Sequence, residues 1–167
     1  MDHFLQGCIE KTEQIKDLSN KTFEYALVFE QDLLPKLETI QSDKFIQYFQ
    51  ENLEYLELEG FKVEKETDIC AVDLQLDLSM MKRMINNICS NILKYAKKES
   101  PVYLEISIKQ GNLKIVFENE KKKDIQQIES NKIGLKSVKR IVEMHHGQFF
   151  VQDLKDTFTL IITLPYN

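Results

Sequence analysis

Several residue types are scarce in the sequence, and cysteine is one of them. Tryptophan is absent, and only three cysteines, three prolines and five glycines occur among 167 residues. Cys8, Cys70 and Cys89 form no CxxC pair and have no histidine at zinc-finger spacing. A disulfide framework or a structural zinc site is therefore not expected, and three buried, reduced thiols are predicted instead. There is no internal repeat and no low-complexity segment.

Two further absences restrict the possible partners. No run approaches the roughly 20 apolar residues that are needed to cross a bilayer, and the first residues do not resemble a signal peptide. Basic residues are not in excess, since 22 lysines and arginines oppose 27 acidic residues for a net charge of −5. A general nucleic-acid surface normally needs a basic stripe, so no nucleic-acid partner is predicted. The composition indicates a soluble globular chain.

The segment 81–96, MKRMINNICSNILKYA, carries two parallel stripes at helical spacing. Its apolar stripe predicts a buried helix face and consists of Met81, Met84, Ile85, Ile88, Ile92 and Ala96. The neighbouring polar stripe consists of Arg83, Asn87, Asn91 and Lys94. Amide oxygens can ligate a hard cation and cationic side chains attract phosphate, so this stripe suits a metal-bound polyphosphate. The alternative is an ordinary solvated helix face.

The first 30 residues follow a different pattern, a heptad seam with steps of three and four. The seam consists of Leu5, Cys8, Thr12, Ile15, Ser19, Thr22, Ala26 and Phe29. Pro35 marks the expected end of this arm, after which a short linker is predicted. We expect the seam to mediate a homodimer, and the alternative is that the helix packs on the downstream domain of its own chain.

The rest of the chain alternates between helical and strand periodicity. The predicted helices are 43–56, 81–96 and 135–145, and the predicted strands are 61–66, 72–76, 102–108, 113–117, 148–154 and 158–164. Gly60 and Gly147 are expected to end helices, and Asp77 to cap the start of the 81–96 helix. Residues 118–132 lose all periodicity and are predicted to form a polar loop. These elements predict a two-layer α/β sandwich, with helices on one side of a mixed, mostly antiparallel sheet and a long amphipathic helix in front.

Three stretches, in order, resemble sensor histidine kinases. The segment EKTEQIKDLSNKTFEYALVF is similar to the second helix of the dimerisation and phosphoacceptor hairpin. RMINNICSNILKYA resembles the N box, and NKIGLKSVKRIVEMHHGQFFV resembles the second glycine box with the helix and strand that follow it. The resemblance implies the ATP-binding fold that histidine kinases share with gyrase-type ATPases, Hsp90 and MutL. It places part of the hairpin in 1–34 and the ATP-binding catalytic domain in 43–167.

The N-box resemblance implies a role for each polar residue of the 81–96 helix. Asn91 would ligate Mg²⁺ that bridges the ATP phosphates, and Asn87 would support the triphosphate. Lys94 would contact phosphate and Tyr95 would lie against the nucleotide. ATP and Mg²⁺ are therefore the expected cofactors, in agreement with the interpretation of the polar stripe from spacing.

The glycine boxes depart from the family pattern. The expected D-x-G-x-G aligns with 118–122, ENEKK, in which Glu118 keeps a carboxylate for the adenine amino group but both glycines are lost. In the second box Lys132 replaces a glycine, so that Gly134 alone would bring backbone close to phosphate, with Leu135 assigned to the same ATP-binding set. The lysines 121–123 are interpreted as a solvated charge run, with phosphate attraction as the alternative.

The phosphoacceptor histidine of such kinases has no match in this chain. His3 lacks the acidic residue that should follow it, and His145 and His146 are interpreted as structural residues at a helix end. No catalytic residue is therefore assigned. The chain is expected to be the C-terminal, cytoplasmic portion of a membrane-anchored sensor, with the sensor region and the acceptor upstream.

The predicted function is transfer of the ATP γ-phosphoryl group to a histidine outside this chain, for relay to an aspartate of a response regulator. The first alternative is a dimeric pseudokinase scaffold that has lost nucleotide affinity along with its glycines. The second is an anti-sigma-type protein kinase of the same fold, which would require Met1 to be the natural start.

Overall fold

The computed structural model describes residues 2–29, 33–123 and 133–166, in two units. The first unit, Met1–Leu33, contains one helix, α1 (Asp2–Phe29). Its seam positions Leu5 and Ile15 are 56% and 69% exposed, and Ile9 and Leu18, which flank the seam, are 59% and 67% exposed. The prediction of one long amphipathic helix is therefore confirmed, with large apolar side chains exposed on it.

The second unit, Leu34–Asn167, contains the sheet and the remaining helices. Its helices are α2 (Ser42–Leu58), α3 (Leu78–Tyr95) and α4 (Ile133–Met144). Its strands are β1 (Glu38–Gln41), β2 (Val63–Asp68), β3 (Asp73–Leu76), β4 (Val102–Lys109), β5 (Asn112–Glu120), β6 (Gln148–Asp153) and β7 (Thr157–Pro165). Strand β1 lies in the interval that was predicted to be a linker. It pairs with a distant segment, β3, and local periodicity does not reveal such a pairing.

Five of the strands form one mixed sheet in the order β2-β4-β5-β7-β6. Strands β2 and β4 are parallel, whereas every other pair in this sheet is antiparallel. Alternate residues of the strands are buried beneath the helices. Phe117 of β5 and Phe49 of α2, for example, have ring centroids 6.0 Å apart. We call this face of the sheet the inner face, and the two-layer α/β prediction is confirmed.

Helix α3 buries the predicted apolar stripe. Met81, Met84, Ile85, Ile88, Ile92 and Ala96 are all 2% exposed or less. Burial of an apolar side chain of this size contributes about 1.5–3 kcal/mol, so the stripe fixes which flank of α3 remains outside the core. The prediction that all three thiols are buried is wrong, because Cys8 and Cys70 are exposed and only Cys89 is buried.

The end of α4 differs from the prediction. The left-handed residue there is His146, with φ of 58°, and not Gly147. Gly147 is required for another reason, because a Cβ at this position would lie 2.8 Å from Val142 Cγ1, 2.9 Å from Leu164 Cδ2 and closer still to the carbonyl oxygen of Thr163. By contrast, the predicted left-handed glycine after α2 is confirmed by Gly60, with φ of +88°.

Candidate functional site

Helix α3 presents the polar stripe on a flank that is only partly covered. Asn87, Asn91 and Tyr95 are half-buried and Lys94 is exposed. Because α3 is a continuous helix from Leu78 to Tyr95, the spacing of these residues places Asn87, Asn91 and Lys94 along one flank. We call this surface the polar flank.

The start of α3 is fixed by Asp77, as predicted. Its carboxylate accepts hydrogen bonds from Met80 N at 3.0 Å, Ser79 Oγ at 2.7 Å and Lys36 N at 2.8 Å. Burial alone would raise the pKa of Asp77, but these hydrogen bonds together hold that pKa below its ordinary value. The ionised carboxylate therefore joins the segment before β1 to the helix that carries the polar flank.

His145 joins the end of α4 to this cap. Its Nε2 accepts from Asp77 N at 3.0 Å, and its Nδ1 lies 2.7 Å from Ile141 O, to which a neutral ring donates. Burial lowers the pKa of His145, which agrees with a neutral ring in this position. The interpretation of His145 as a structural residue is confirmed.

The start of α4 lies beside Asn87, at one end of the polar flank. A Cβ at Gly134 would lie 3.9 Å from both Cγ and Oδ1 of Asn87, so the glycine leaves the space beside this amide open. Asn87 Nδ2 is buried and has no hydrogen-bond partner among the residues that the structure describes. Helix starts favour anions through their unpaired N–H groups and dipole, and here an additional amide donor is unused. The donors present therefore suit a phosphate group.

Ser137, one turn further along α4, also has a buried hydroxyl without a hydrogen-bond partner. It is fully buried in the second turn of α4. Contacts from Gly134 to Asn87 and from His145 to Asp77 show that α3 and α4 run antiparallel. We find no structural reason for a serine there.

Strand β5 places the predicted site residue Glu118 on the face of the sheet opposite the helices. Leu113, Ile115 and Phe117 are buried on the inner face, and the alternation continues to Asn119, which is 5% exposed. Glu118 is exposed on the opposite face, where its Oε2 accepts from Thr159 Oγ1 at 3.2 Å. Successive side chains of a strand point to opposite faces, so Glu118 faces away from the helices and Asn119 is the polar residue that faces them. The continued alternation was a sequence signal for Asn119 that the motif alignment overlooked.

The end of β5 is joined directly to the end of α3. Lys97 N donates to Glu120 O at 2.9 Å, and Lys122 N donates to Tyr95 O at 2.9 Å. These bonds bring the strand end that carries Asn119 to the last turn of α3, where Lys94 and Tyr95 lie.

Two of the three consecutive lysines have polar partners, and Lys122 is exposed, as a solvated charge run requires. Lys121 Nζ lies 2.7 Å from Asp153 Oδ1, and Lys122 Nζ donates to the carbonyl oxygens of Leu93 and Lys94 at 3.1 Å each. A cation at the end of a helix satisfies unpaired carbonyls and interacts favourably with the helix dipole. The two ammonium groups therefore stabilise the junction between β5, β6 and α3.

The predicted site also includes Leu135 and borders the predicted polar loop. Leu135 is half-buried in the first turn of α4, beside Gly134. Lys132 and most of the predicted polar loop, residues 124–132, lie outside the described residues.

A groove of about 320 Å³ lies between α2 and α3, away from the polar flank. It is lined by Glu51, Asn52, Tyr55, Asn86, Cys89, Ser90 and Leu93, and none of the predicted site residues contributes to it. Burial raises the pKa of Cys89 to about 12, so its thiol is not a nucleophile at neutral pH. In the described ranges, no three His, Cys, Asp or Glu side chains come together as a metal site, and no helix is long and apolar enough to cross a membrane.

Several solved histidine kinase structures are similar to this chain. The histidine kinase AdeS of Acinetobacter baumannii matches with a TM-score of 0.70 and 16% identity, over 98% of this chain and 84% of that one. The catalytic domain of histidine kinase ThkA matches with a TM-score of 0.63 and 12% identity, over 78% and 95%. Full-length ShkA in complex with AMPPNP matches with a TM-score of 0.73 and 15% identity, over 94% and 37%. The second unit has the fold of a histidine kinase catalytic domain.

Curated relatives agree at the level of sequence. The chain is 27% identical over 149 residues to the sensor histidine kinase YrkQ of Bacillus subtilis (strain 168), covering 89% of this chain and 34% of that protein. It is 27% identical over 183 residues to the sensor histidine kinase HprS of Escherichia coli (strain K12), covering 96% and 39%. No protein-family model matches. The chain thus spans 34% to 39% of the length of these relatives, and its predicted resemblance to the C-terminal part of sensor histidine kinases is confirmed.

Proposed function

We propose that this chain is the ATP-binding catalytic part of a sensor histidine kinase, which transfers the γ-phosphoryl group of ATP to a histidine outside the chain. One observation carries the proposal. On a histidine kinase fold, the unpaired amide of Asn87 lies beside the start of α4 at Gly134, on the same helix flank as Asn91. Buried donors without partners are costly unless a ligand satisfies them, and this pair suits an anionic ligand.

The polar flank would hold the triphosphate by distributing its charges. Asn87 Nδ2 and the first N–H groups of α4 donate to phosphate oxygens, and the exposed Lys94 neutralises further charge. Asn91, one turn from Asn87, would ligate Mg²⁺ through its amide oxygen, and Tyr95 and Leu135 would contact the nucleotide at either side of the flank. When bound, Mg²⁺ and ATP would supply the electrophilic phosphoryl group. The chain itself would contribute positioning and charge neutralisation.

We also transfer the proposed base contact from Glu118 to Asn119. Glu118 faces away from the helical layer, whereas Asn119 is buried on the inner face at the strand end that is joined to Tyr95. A few polar groups in an apolar surrounding commonly fix the orientation of a bound ligand. Asn119 meets this description.

The N-terminal unit would serve assembly. We propose that residues 1–34 form the second helix of the dimerisation hairpin and that 43–167 form the catalytic domain. The exposed apolar side chains of α1, Leu5 and Ile15 among them, would pack against a second copy. The phosphoacceptor histidine, the sensor region and a membrane anchor would belong to the remainder of the protein, and a response regulator would receive the phosphate.

One observation favours a second candidate, a pseudokinase scaffold of the same fold. Lys121 and Lys122 stand where the first glycine box would place its flexible backbone, and both are engaged in fixed contacts. A strand end held in this way can stabilise the fold without any nucleotide.

Calorimetric titration with ATP, with and without Mg²⁺, tests the proposal. Asn91→Ala should weaken Mg²⁺-dependent binding, because a lost contact to a charged group is worth about 1.5–3 kcal/mol, or roughly a tenfold to hundredfold change in affinity. Asn86→Ala is the matched control, since it removes the same amide from an exposed position of the same helix.

The outcomes separate the candidates. A loss confined to Asn91→Ala supports the kinase proposal. Equal binding by all three proteins refutes the role of Asn91, and no binding by the wild type favours the scaffold.

A further inference from the structure

The two edge strands of the main sheet differ in charge. In the ranges that the structure describes, β6 is paired with β7 on one side and with no strand on the other, and β2 is the edge at the opposite end. Natural edges are commonly protected against pairing with another chain by charged side chains. Strand β2 has this protection, because its sequence VEKETD places acidic residues at alternate positions. From Gln148 to Gln152, by contrast, β6 has no charged residue.

The outer face of the sheet, opposite the inner face, carries an apolar row that ends at β6. Phe150 of β6 lies directly beside Ile161 of β7, which lies beside Val116 of β5. Phe150 is 58% exposed, and Ile161 and Val116 are half-buried. Side chains on adjacent strands stabilise a sheet through such cross-strand contacts. The described part of the chain supplies no further side chain beyond Phe150 to extend the row.

The pairing with β7 determines which backbone groups of β6 face the open side. Leu154 N donates to Thr157 O at 3.0 Å, in the same register as the rest of the strand pair. Alternate residues of an antiparallel strand direct their backbone groups to the same neighbour. Phe150 therefore bonds to β7, whereas Phe149 and Val151 direct their N–H and C=O groups to the open side.

The segment 148–152, QFFVQ, is complementary to itself in the antiparallel direction. A two-fold axis at its centre matches each side chain with one of the same kind or with a favoured partner. The pairs are Phe150 with Phe150, Phe149 with Val151 and Gln148 with Gln152. An aromatic residue opposite a β-branched one is a favourable cross-strand pair. This register also brings no like charges together, because Asp153 falls opposite Gly147.

We propose that the open edge of β6 is a self-association surface, at which β6 of a second copy of this chain pairs in the antiparallel direction about a two-fold axis at Phe150. Phe149 of each copy exchanges both backbone hydrogen bonds with Val151 of the other. The two Phe150 side chains form a non-hydrogen-bonded pair, in which side chains are closest, and join the two apolar rows into one.

This interface is isologous and closed, whereas pairing of β6 with β2 of another copy would leave open edges and propagate. One strand pair is small against the roughly 1,200 Å² buried in stable interfaces. We therefore expect a weak contact, which is strengthened wherever two chains are already held together. The inference does not depend on the proposed function, since it involves neither a nucleotide nor α1.

Disulfide trapping on the full chain tests the proposed two-fold axis. The exposed cysteines are removed by Cys8→Ser and Cys70→Ser, and the buried Cys89 is kept. In this background, Phe150→Cys should form a disulfide-linked dimer in oxidised glutathione, because the Cα separation of about 4.5 Å in such a pair fits a disulfide. Gln152→Cys is the matched control on the same face, since its two copies would lie roughly 14 Å apart. Pairing raises the effective concentration of the thiols, so Phe150→Cys should react at least about tenfold faster than the control.

A mixture of two variants tests the direction of pairing separately. Gln148 of one copy lies opposite Gln152 of the other, so Gln148→Cys and Gln152→Cys should form a mixed dimer faster than either forms a dimer with itself. Parallel pairing would give the reverse order, because identical residues would then be neighbours. The thermal unfolding midpoint of each variant establishes that it folds.

The results decide the inference in either direction. Faster trapping of Phe150→Cys, together with preferred formation of the mixed dimer, supports it. Equal rates for Phe150→Cys and Gln152→Cys overturn it, and so does a mixture in which the mixed dimer has no advantage. The open edge of β6 would then suit an extended segment of a different protein and not a second copy.

Discussion

Replacement of Gly134 by alanine should affect stability and nucleotide binding in opposite directions. Gly134 is the second residue of α4 and has a helical backbone, so alanine is compatible with its conformation. The added methyl group would lie 3.9 Å from Cγ and Oδ1 of Asn87, which is ordinary van der Waals contact. The packing around Gly134 therefore accommodates the added methyl group.

The two magnitudes follow from this geometry. Glycine costs about 0.5–1 kcal/mol relative to alanine inside a helix, so the free energy of unfolding should stay constant or rise by up to that amount. The same methyl group fills space beside the Asn87 amide, where Cγ and Oδ1 are its nearest atoms. If phosphate approaches there, a hydrogen bond to a charged group is lost, which is worth about 1.5–3 kcal/mol or roughly a tenfold to hundredfold loss of ATP affinity.

Urea unfolding and calorimetry on the same preparations measure both quantities. Gly7→Ala is the matched control, because Gly7 lies in α1 and a Cβ there would have no heavy atom within 4 Å. It should gain similar stability and keep its ATP affinity. Unchanged ATP affinity in Gly134→Ala would refute the approach of phosphate at this helix start, and a loss of stability above about 1 kcal/mol would refute the reasoning about its packing.

Three further outcomes are expected. Gly147→Ala should lower the free energy of unfolding by about 1–3 kcal/mol or more in urea, because the methyl group meets the backbone of β7 at Thr163, and an unchanged midpoint would contradict this packing. Burial lowers the pKa of His145 below 6.5, so the unfolded chain binds the additional proton and stability should fall as the pH drops below about 6.5. His145→Gln should show a smaller slope in unfolding experiments between pH 7 and 5, and an equal slope would assign the effect elsewhere. If α1 is the dimer interface, Ile15→Lys should shift the sedimentation of the chain towards that of a monomer. A variant that sediments as the same dimer as the wild type would exclude Ile15 from the interface.

The features that the sequence predicted correctly depend on neighbours a few residues apart. The polar and apolar stripes of α3 follow from helical periodicity, and Asp77 caps that helix through residues two and three positions further on. The hairpin of β4 and β5 likewise follows from alternation and from a turn at Gln110 and Gly111, with φ of 53° and 79°. The family resemblance was carried by the same local motifs.

The outward orientation of Glu118 follows from a pattern that is present in the sequence. The motif alignment placed the family's aspartate at the first residue after the predicted strand. The alternation of β5, however, continues to Asn119, and the period of two decides which residue faces the helices.

Other features depended on contacts between distant segments, and only the tertiary structure decided them. Lys122 ends α3 through carbonyl groups nearly 30 residues earlier in the chain, and β1 forms a strand only because it pairs with β3. Gly147 is constrained by the backbone and a side chain of β7, at Thr163 and Leu164, and by the side chain of Val142 in α4. The sequence by itself determined which residues share a face, since side-chain direction is a local property of the backbone. Which faces meet, and which polar atoms are left without a partner beside Gly134, was decided by packing, because burial and hydrogen bonding are properties of the assembled layers.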